Sequence, residues 1–141
     1  MRALMRAPLL LYRLGLGGLI GKSTLILTTT GRRTGRPRAT PVGYWEGEGI
    51  FYVLAGSGTY ADWYRNLVAR PEVEVQAGRR RLRAIATPLT DLRAKSHALW
   101  VFGQRSPGTA QRYFGIQRGT AEEDLLSLAE ERAIVAIRPR Q

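Results

Sequence analysis

No cysteine occurs in the chain, histidine occurs once, at His97, and lysine twice, at Lys22 and Lys95. Without cysteine there is no disulfide scaffold, no thiolate metal centre and no Cys–His nucleophilic pair. Any Ser–His triad would have to use His97. That residue stands in a helical stretch without ligand-type neighbours, so it reads as structural or exposed, and no metal is expected. Enzymatic chemistry would therefore come from a bound cofactor. Long apolar runs are missing too. The stretch from residue 8 to residue 20 is glycine-rich and split by Arg13, short of the roughly 20 apolar residues of a membrane helix. Arg2 and Arg6 imitate the start of a signal peptide, but no small-residue cleavage site follows, so a cytoplasmic location is the expectation. A first helix over residues 3–16 sets arginines beside leucines. It would suit peripheral membrane contact through residues 1–20, though packing on its own domain is the simpler reading.

Acidic side chains are also scarce: 11 Asp and Glu stand against 22 Lys and Arg, for a net charge of +11. All but two of the basic residues are arginine. The guanidinium fork matches phosphates and carboxylates, so an anionic ligand, a nucleic acid or an acidic membrane surface fits this composition. A genome-wide preference for arginine fits it equally. At 141 residues, 44% hydrophobic and 23% charged, the chain has the makeup of one globular domain, 1–141, with no linker or repeat.

Residues 24–30 are rich in β-branched side chains and predict a first strand. Glycine and proline mark 31–37 as a turn; 39–45 and 50–54 predict strands around a hairpin turn at 46–49. A short helix is expected over 61–70, stopped by Pro71. Glu72-Val73-Glu74-Val75-Gln76 alternates strictly, the pattern of a half-exposed strand. Ala77-Gly78 turns the chain into a fifth strand over 79–86. Helices follow over 91–102 and 122–132, then a buried closing strand over 133–137. The expected fold is mainly β with α: an antiparallel barrel of about six strands with helices packed outside.

Gly15-Leu16-Gly17-Gly18-Leu19-Ile20-Gly21-Lys22-Ser23 imitates a phosphate-binding P-loop, but position 16 is leucine and the strand follows the string instead of preceding it. Gly31-Arg32-Arg33-Thr34-Gly35-Arg36-Pro37-Arg38 is more informative. Its four arginines sit in a glycine-bracketed turn, where guanidinium forks and backbone N–H groups can meet a phosphate or polycarboxylate. A solvated basic hairpin would carry the same charge. Ala39-Thr40-Pro41-Val42-Gly43-Tyr44 then places small residues where a flat ring can approach the strand. In Asp62-Trp63-Tyr64-Arg65-Asn66-Leu67 the two aromatics point about 100° apart, so Trp63 suits the core while Tyr64 and Asn66 suit a pocket. Arg79, Arg81 and Arg83 share one strand face, with Arg80 beside Leu82 on the other. A solvated face explains that pattern, and nucleic-acid binding is not expected.

Together, Leu27-Thr28-Thr29-Thr30-Gly31-Arg32-Arg33-Thr34-Gly35-Arg36-Pro37-Arg38 and Asp62-Trp63-Tyr64-Arg65-Asn66-Leu67 resemble the deazaflavin-dependent nitroreductase family, flavin/deazaflavin oxidoreductases with a split β-barrel. The likeness runs from residue 15 to residue 88. It implies an F420-dependent oxidoreductase that transfers a hydride between reduced deazaflavin and a quinone, nitro compound or activated alkene. Arg32, Arg33, Thr34 and Arg38 would hold the phosphate and oligoglutamate tail of coenzyme F420. Thr40, Pro41, Val42 and Gly43 would flank its ring, and Ala55, Gly56 and Ser57 would offer backbone groups to the ring's polar edge. Trp63, Tyr64 and Asn66 would close the site, with Tyr113 on the substrate side as the candidate catalytic residue. Gly58 replaces a cofactor-binding lysine, the loop between Ser57 and Trp63 is short, and segment 105–131 departs from the family pattern. The alternatives are an FMN-binding oxidoreductase of the same fold and a non-enzymatic barrel for fatty acids or membranes. The expected partners are a small-molecule substrate and, if the protein is not a monomer, a second copy in a homodimer.

Overall fold

The computed structural model describes residues 24–55 and 61–140. The expectations for residues 1–23, Gly56, Ser57 and Gly58 lie outside them. Six strands form an antiparallel barrel: β1 (Thr24–Thr30), β2 (Pro37–Gly47), β3 (Ile50–Leu54), β4 (Glu72–Ala77), β5 (Arg80–Pro88) and β6 (Ile134–Pro139). Their order is β1-β2-β3-β6-β5-β4, and β4 pairs back onto β1 to close it. The helices are α1 (Asp62–Ala69), α2 (Leu92–Arg105), α3 (Pro107–Phe114) and α4 (Leu126–Glu130), the last preceded by a 3-10 turn at Glu122–Leu125.

Turn chemistry sets the strand register. Glu48 (φ 59°) and Gly49 (φ 78°) are both left-handed, as a two-residue type I′ hairpin requires, so Gly47 faces Ile50. Alternation then sorts the strands: Leu25, Leu27, Val53, Val75 and Ile137 turn inward into one buried cluster. Leu67 of α1 joins that cluster, so this helix adds a buried side chain to the barrel core.

The outward faces of β2, β3 and β6 build a second core with α2, α3 and α4. The Trp45 ring stacks between Tyr52 at 5.7 Å and Phe102 at 4.5 Å, and its indole N–H donates to the Ala98 carbonyl at 2.8 Å. Gly47 lets α2 lie this close, because a Cβ there would collide with the Val101 side chain. At the start of α2, the Asp91 carboxylate accepts from the Ala94 N–H at 3.0 Å. Helix α3 was absent from the expected elements. Pro107 and Gly108 punctuate like a loop, yet proline fits the first helical position, where no N–H partner is needed.

Two expectations are overturned. Glu74 and Gln76 were to face solvent on a half-exposed strand, but both are buried. β4 pairs Glu74 with Thr28 and Gln76 with Ile26, and this outer face of the β1–β4 ladder is buried as a whole. Burial raises the Glu74 pKa, with Arg81 and Arg83 opposing the shift. Second, His97 has ligand-type company. Its Nε2 meets Glu48 Oε1 at 2.7 Å, and its Nδ1 meets Glu122 Oε1. Residues distant in the chain thus clamp α2 to the β2–β3 hairpin and to the 3-10 turn.

A carboxylate at each ring nitrogen favours the imidazolium form of His97. Its pKa is raised, chiefly by the bond to Glu48, with Glu122 adding to it and partial burial opposing it. A raised folded-state value makes the clamp's contribution complete below the unfolded value of about 6.5 and lost as pH rises through the folded value. The melting temperature should therefore fall as pH is raised from 6 toward 8. His97→Gln should flatten that dependence, and identical slopes in both proteins would remove the clamp.

Candidate functional site

The β1–β2 turn is held by its own backbone. Gly31 N–H donates to the Arg36 carbonyl at 2.7 Å, and Gly35 N–H to the Gly31 carbonyl at 2.8 Å. A Cβ on Gly31 would sit 2.8 Å from Thr34 Oγ1, and Gly35 has φ 72°, so both glycines are required by this geometry. The turn faces α1 across a cleft of about 540 Å³, lined by Arg32, Arg33, Thr34, Arg38, Thr40, Asp62, Trp63 and Asn66 among others.

Asn66 organises the cleft. It is 4% exposed, and its Oδ1 accepts from the Arg32 backbone N–H at 3.1 Å and from Arg32 Nη1 at 2.8 Å. Its Nδ2 donates to Thr29 Oγ1 at 3.2 Å. Asp62 takes the other arm of Arg32 at 3.2 Å. Arg32 is thus already held by the protein, whereas Arg33 and Arg38 form no ion pair among the described residues. Thr34 Oγ1 accepts from the Arg36 N–H at 3.2 Å.

A second cavity, of about 420 Å³, lies between the barrel wall and α2–α3. Gly43, Trp45, Leu54, Phe102, Thr109, Tyr113 and Phe114 are among its lining residues. Phe114 meets Phe102 edge to face at 5.5 Å, and Tyr113 is 69% exposed at the rim. Leu54, Phe102, Thr109 and Phe114 were not among the sequence candidates. The signal that could have found Thr109 and Phe114 is the overlooked helix α3, whereas Leu54 of β3 and Phe102 of α2 reach the cavity only through the packing of helix on barrel.

The candidates therefore divide. Arg32, Arg33, Thr34, Arg38, Thr40, Trp63 and Asn66 come together in the cleft, and Gly43 and Tyr113 in the second cavity. Pro41 is exposed between them, while Val42 points into the barrel core. Tyr64 also packs against that core and is not among the cleft-lining residues, so Trp63 is the aromatic that reaches the pocket. Ala55 is buried, and its N–H is already bonded to the Ala133 carbonyl at 2.9 Å, leaving only its carbonyl for a ligand.

Solved structures give the fold its class. An F420-H2 dependent reductase (FDR-A) superposes with a TM-score of 0.59 at 22% identity, over 84% of this chain and 96% of that one. The heme storage protein HutZ of Vibrio cholerae gives 0.57 at 19% identity, over 85% of this chain and 83% of that one. The fold is the split barrel of flavin and deazaflavin reductases. More narrowly, residues 13–121 match the family model described as F420H(2)-dependent quinone reductase, and the chain belongs to that family. An F420H(2)-dependent quinone reductase of Mycobacterium tuberculosis is 31% identical over 101 residues, covering 70% of this chain. The chain spans 66% of that curated relative's length.

Replacing Asn66 with alanine removes the acceptor for two Arg32 donors and strands Thr29 in the interior. A loss of about 1–3 kcal/mol in unfolding free energy is expected, measured by denaturant titration. A change within ±0.5 kcal/mol would show that the turn does not depend on Asn66.

Proposed function

We propose that the protein is an F420-dependent reductase that transfers a hydride from the reduced cofactor to a quinone. The observation that carries the reading is the course of β2. Its Ala39, with Arg38 and Thr40 beside it, lines the cationic cleft, and on the same strand face as Ala39 its Gly43 and Trp45 line the aromatic cavity. Ala39 and Gly43 are four residues apart, roughly 13 Å along an extended strand. A ligand with an anionic tail and a flat ring matches that sequence of surfaces. The donor set fits F420: two guanidinium groups without an ion-pair partner among the described residues suit phosphate and carboxylates.

Bound F420, when reduced, supplies the hydride. The chain's own residues bind and orient. Arg33 and Arg38 bind the anionic tail, and Arg32, held by Asn66 and Asp62, fixes the shape of the turn that presents them. Gly43 lets a ring approach β2 without a side chain intervening. Phe102 and Phe114 keep water from the floor of the cavity, and the Tyr113 phenol at its rim donates the proton that the acceptor oxygen needs. The family relatives named for quinone reduction favour a quinone as acceptor.

The test is quinone-dependent oxidation of reduced F420, followed by its absorbance, alongside equilibrium binding of F420 and FMN. Turnover with a benzoquinone or naphthoquinone is expected. Arg38→Ala should weaken F420 binding roughly ten- to a hundredfold, the loss of one charge-assisted contact, with a much smaller effect on FMN. Equal losses for both ligands would remove the tail-binding role of Arg38. FMN binding in the absence of F420 binding would replace the cofactor.

A further inference from the structure

Two side chains hold Arg32, and their grips differ. Asn66 is buried, accepts from both the backbone N–H and Nη1 of Arg32, and is itself anchored to Thr29. Asp62 meets Nη2 through one carboxylate oxygen at 3.2 Å, and its side chain is 86% exposed. A committed pair in this molecule looks different: Arg80 meets Glu46 with both arms, at 2.7 and 3.0 Å. A single-contact pair open to water is worth no more than about fivefold in an equilibrium constant. Asn66 therefore fixes where the Arg32 guanidinium sits, and Asp62 occupies its second arm.

Among the described residues that line the cationic cleft, Asp62 alone is acidic. Its carboxylate can leave Arg32 at little cost. It opens α1, where the partial positive charge of the first helical turn favours an anion, and water reaches it freely. The Arg32 side chain is 21% exposed, and both residues line the cleft, so the arm that Asp62 holds is within reach of a ligand there.

We propose that Asp62 stands in for a ligand's anionic group at Arg32. A carboxylate or phosphate entering the cleft displaces it from Nη2, and Arg32 becomes the third cation that binds the ligand. The exchange is favoured because the incoming ligand also gains Arg33 and Arg38, whereas Asp62 has Arg32 alone. Arg32 keeps shaping the turn through Asn66 and gains a second role through its other arm. The inference deepens the reading of the cleft as the place of the cofactor's anionic tail, and rests on it.

Calorimetric titration of the full chain at low salt, with F420 and separately with inorganic tripolyphosphate, tests it. Asp62→Asn is expected to bind both ligands roughly three- to tenfold more tightly, because no resident carboxylate has to be displaced. The gain must run through Arg32, so in the Arg32→Gln background the same change should add less than about twofold. Should Arg32→Gln fail to fold by circular dichroism, Arg32→Lys, which has no second arm to release, replaces it as the background. Glu123→Gln removes an exposed negative charge from the 3-10 turn and should change either affinity by less than about twofold. Unchanged or weaker binding by Asp62→Asn would overturn the inference and make Asp62 a fixed part of the Arg32 clamp. So would an equal gain in Glu123→Gln, or a gain that persists in full without Arg32. If tripolyphosphate binds and F420 does not, the cofactor reading falls, and the tripolyphosphate series still decides the role of Asp62. If neither binds, the inference falls as well.

Discussion

The Asn66 carboxamide is the contact on which the candidate site depends. A buried amide is costly unless each of its groups is bonded, and Asn66 is bonded to Thr29 on β1 and to Arg32 in the following turn. One side chain on α1 thereby ties a strand, a turn and a helix together. Its neighbour Leu67, buried in the barrel, prevents the helix from shifting. With Arg32 held inside this network, the turn presents Arg33 and Arg38 without ion-pair partners among the described residues, and an arginine-rich loop becomes a defined cleft.

The second constraint is the aromatic stack. Trp45 between Tyr52 and Phe102, with Phe114 beyond, fastens the α2–α3 layer to β2. The same strand edge serves the cationic cleft further along. Position along one strand therefore couples the two surfaces, and the proposed ligand would report on both. The shared fold does not decide the chemistry, since a heme storage protein superposes nearly as well as an F420-H2 dependent reductase. In this chain the cleft holds two arginines, Arg33 and Arg38, that form no ion pair among the described residues.

Much of this was legible in the amino acids. Strands β1 and β3 begin and end where β-branched runs and turn residues place them, because those signals are local. The arginine turn and the Asp62–Leu67 helix also announced themselves as candidates. Other features were hidden because periodicity reports which face a side chain takes, not what covers that face. Glu74 and Gln76 have the alternation of an exposed face and are buried. His97 looked solitary because its carboxylates come from residues 48 and 122. Asn66 lines the cleft, and its hydrogen bonds to Thr29 and Arg32, which join residues far apart in the chain, needed the fold to be seen.

The central claim is that the cleft between the β1–β2 turn and α1 holds the anionic tail of a deazaflavin. It is tested most directly by titrating the protein with F420 and with the same deazaflavin stripped of its phosphate and glutamates. The account predicts that the tailless ring binds at least tenfold more weakly, and that the difference shrinks as salt is added. Equal affinity for the two at low salt would contradict it.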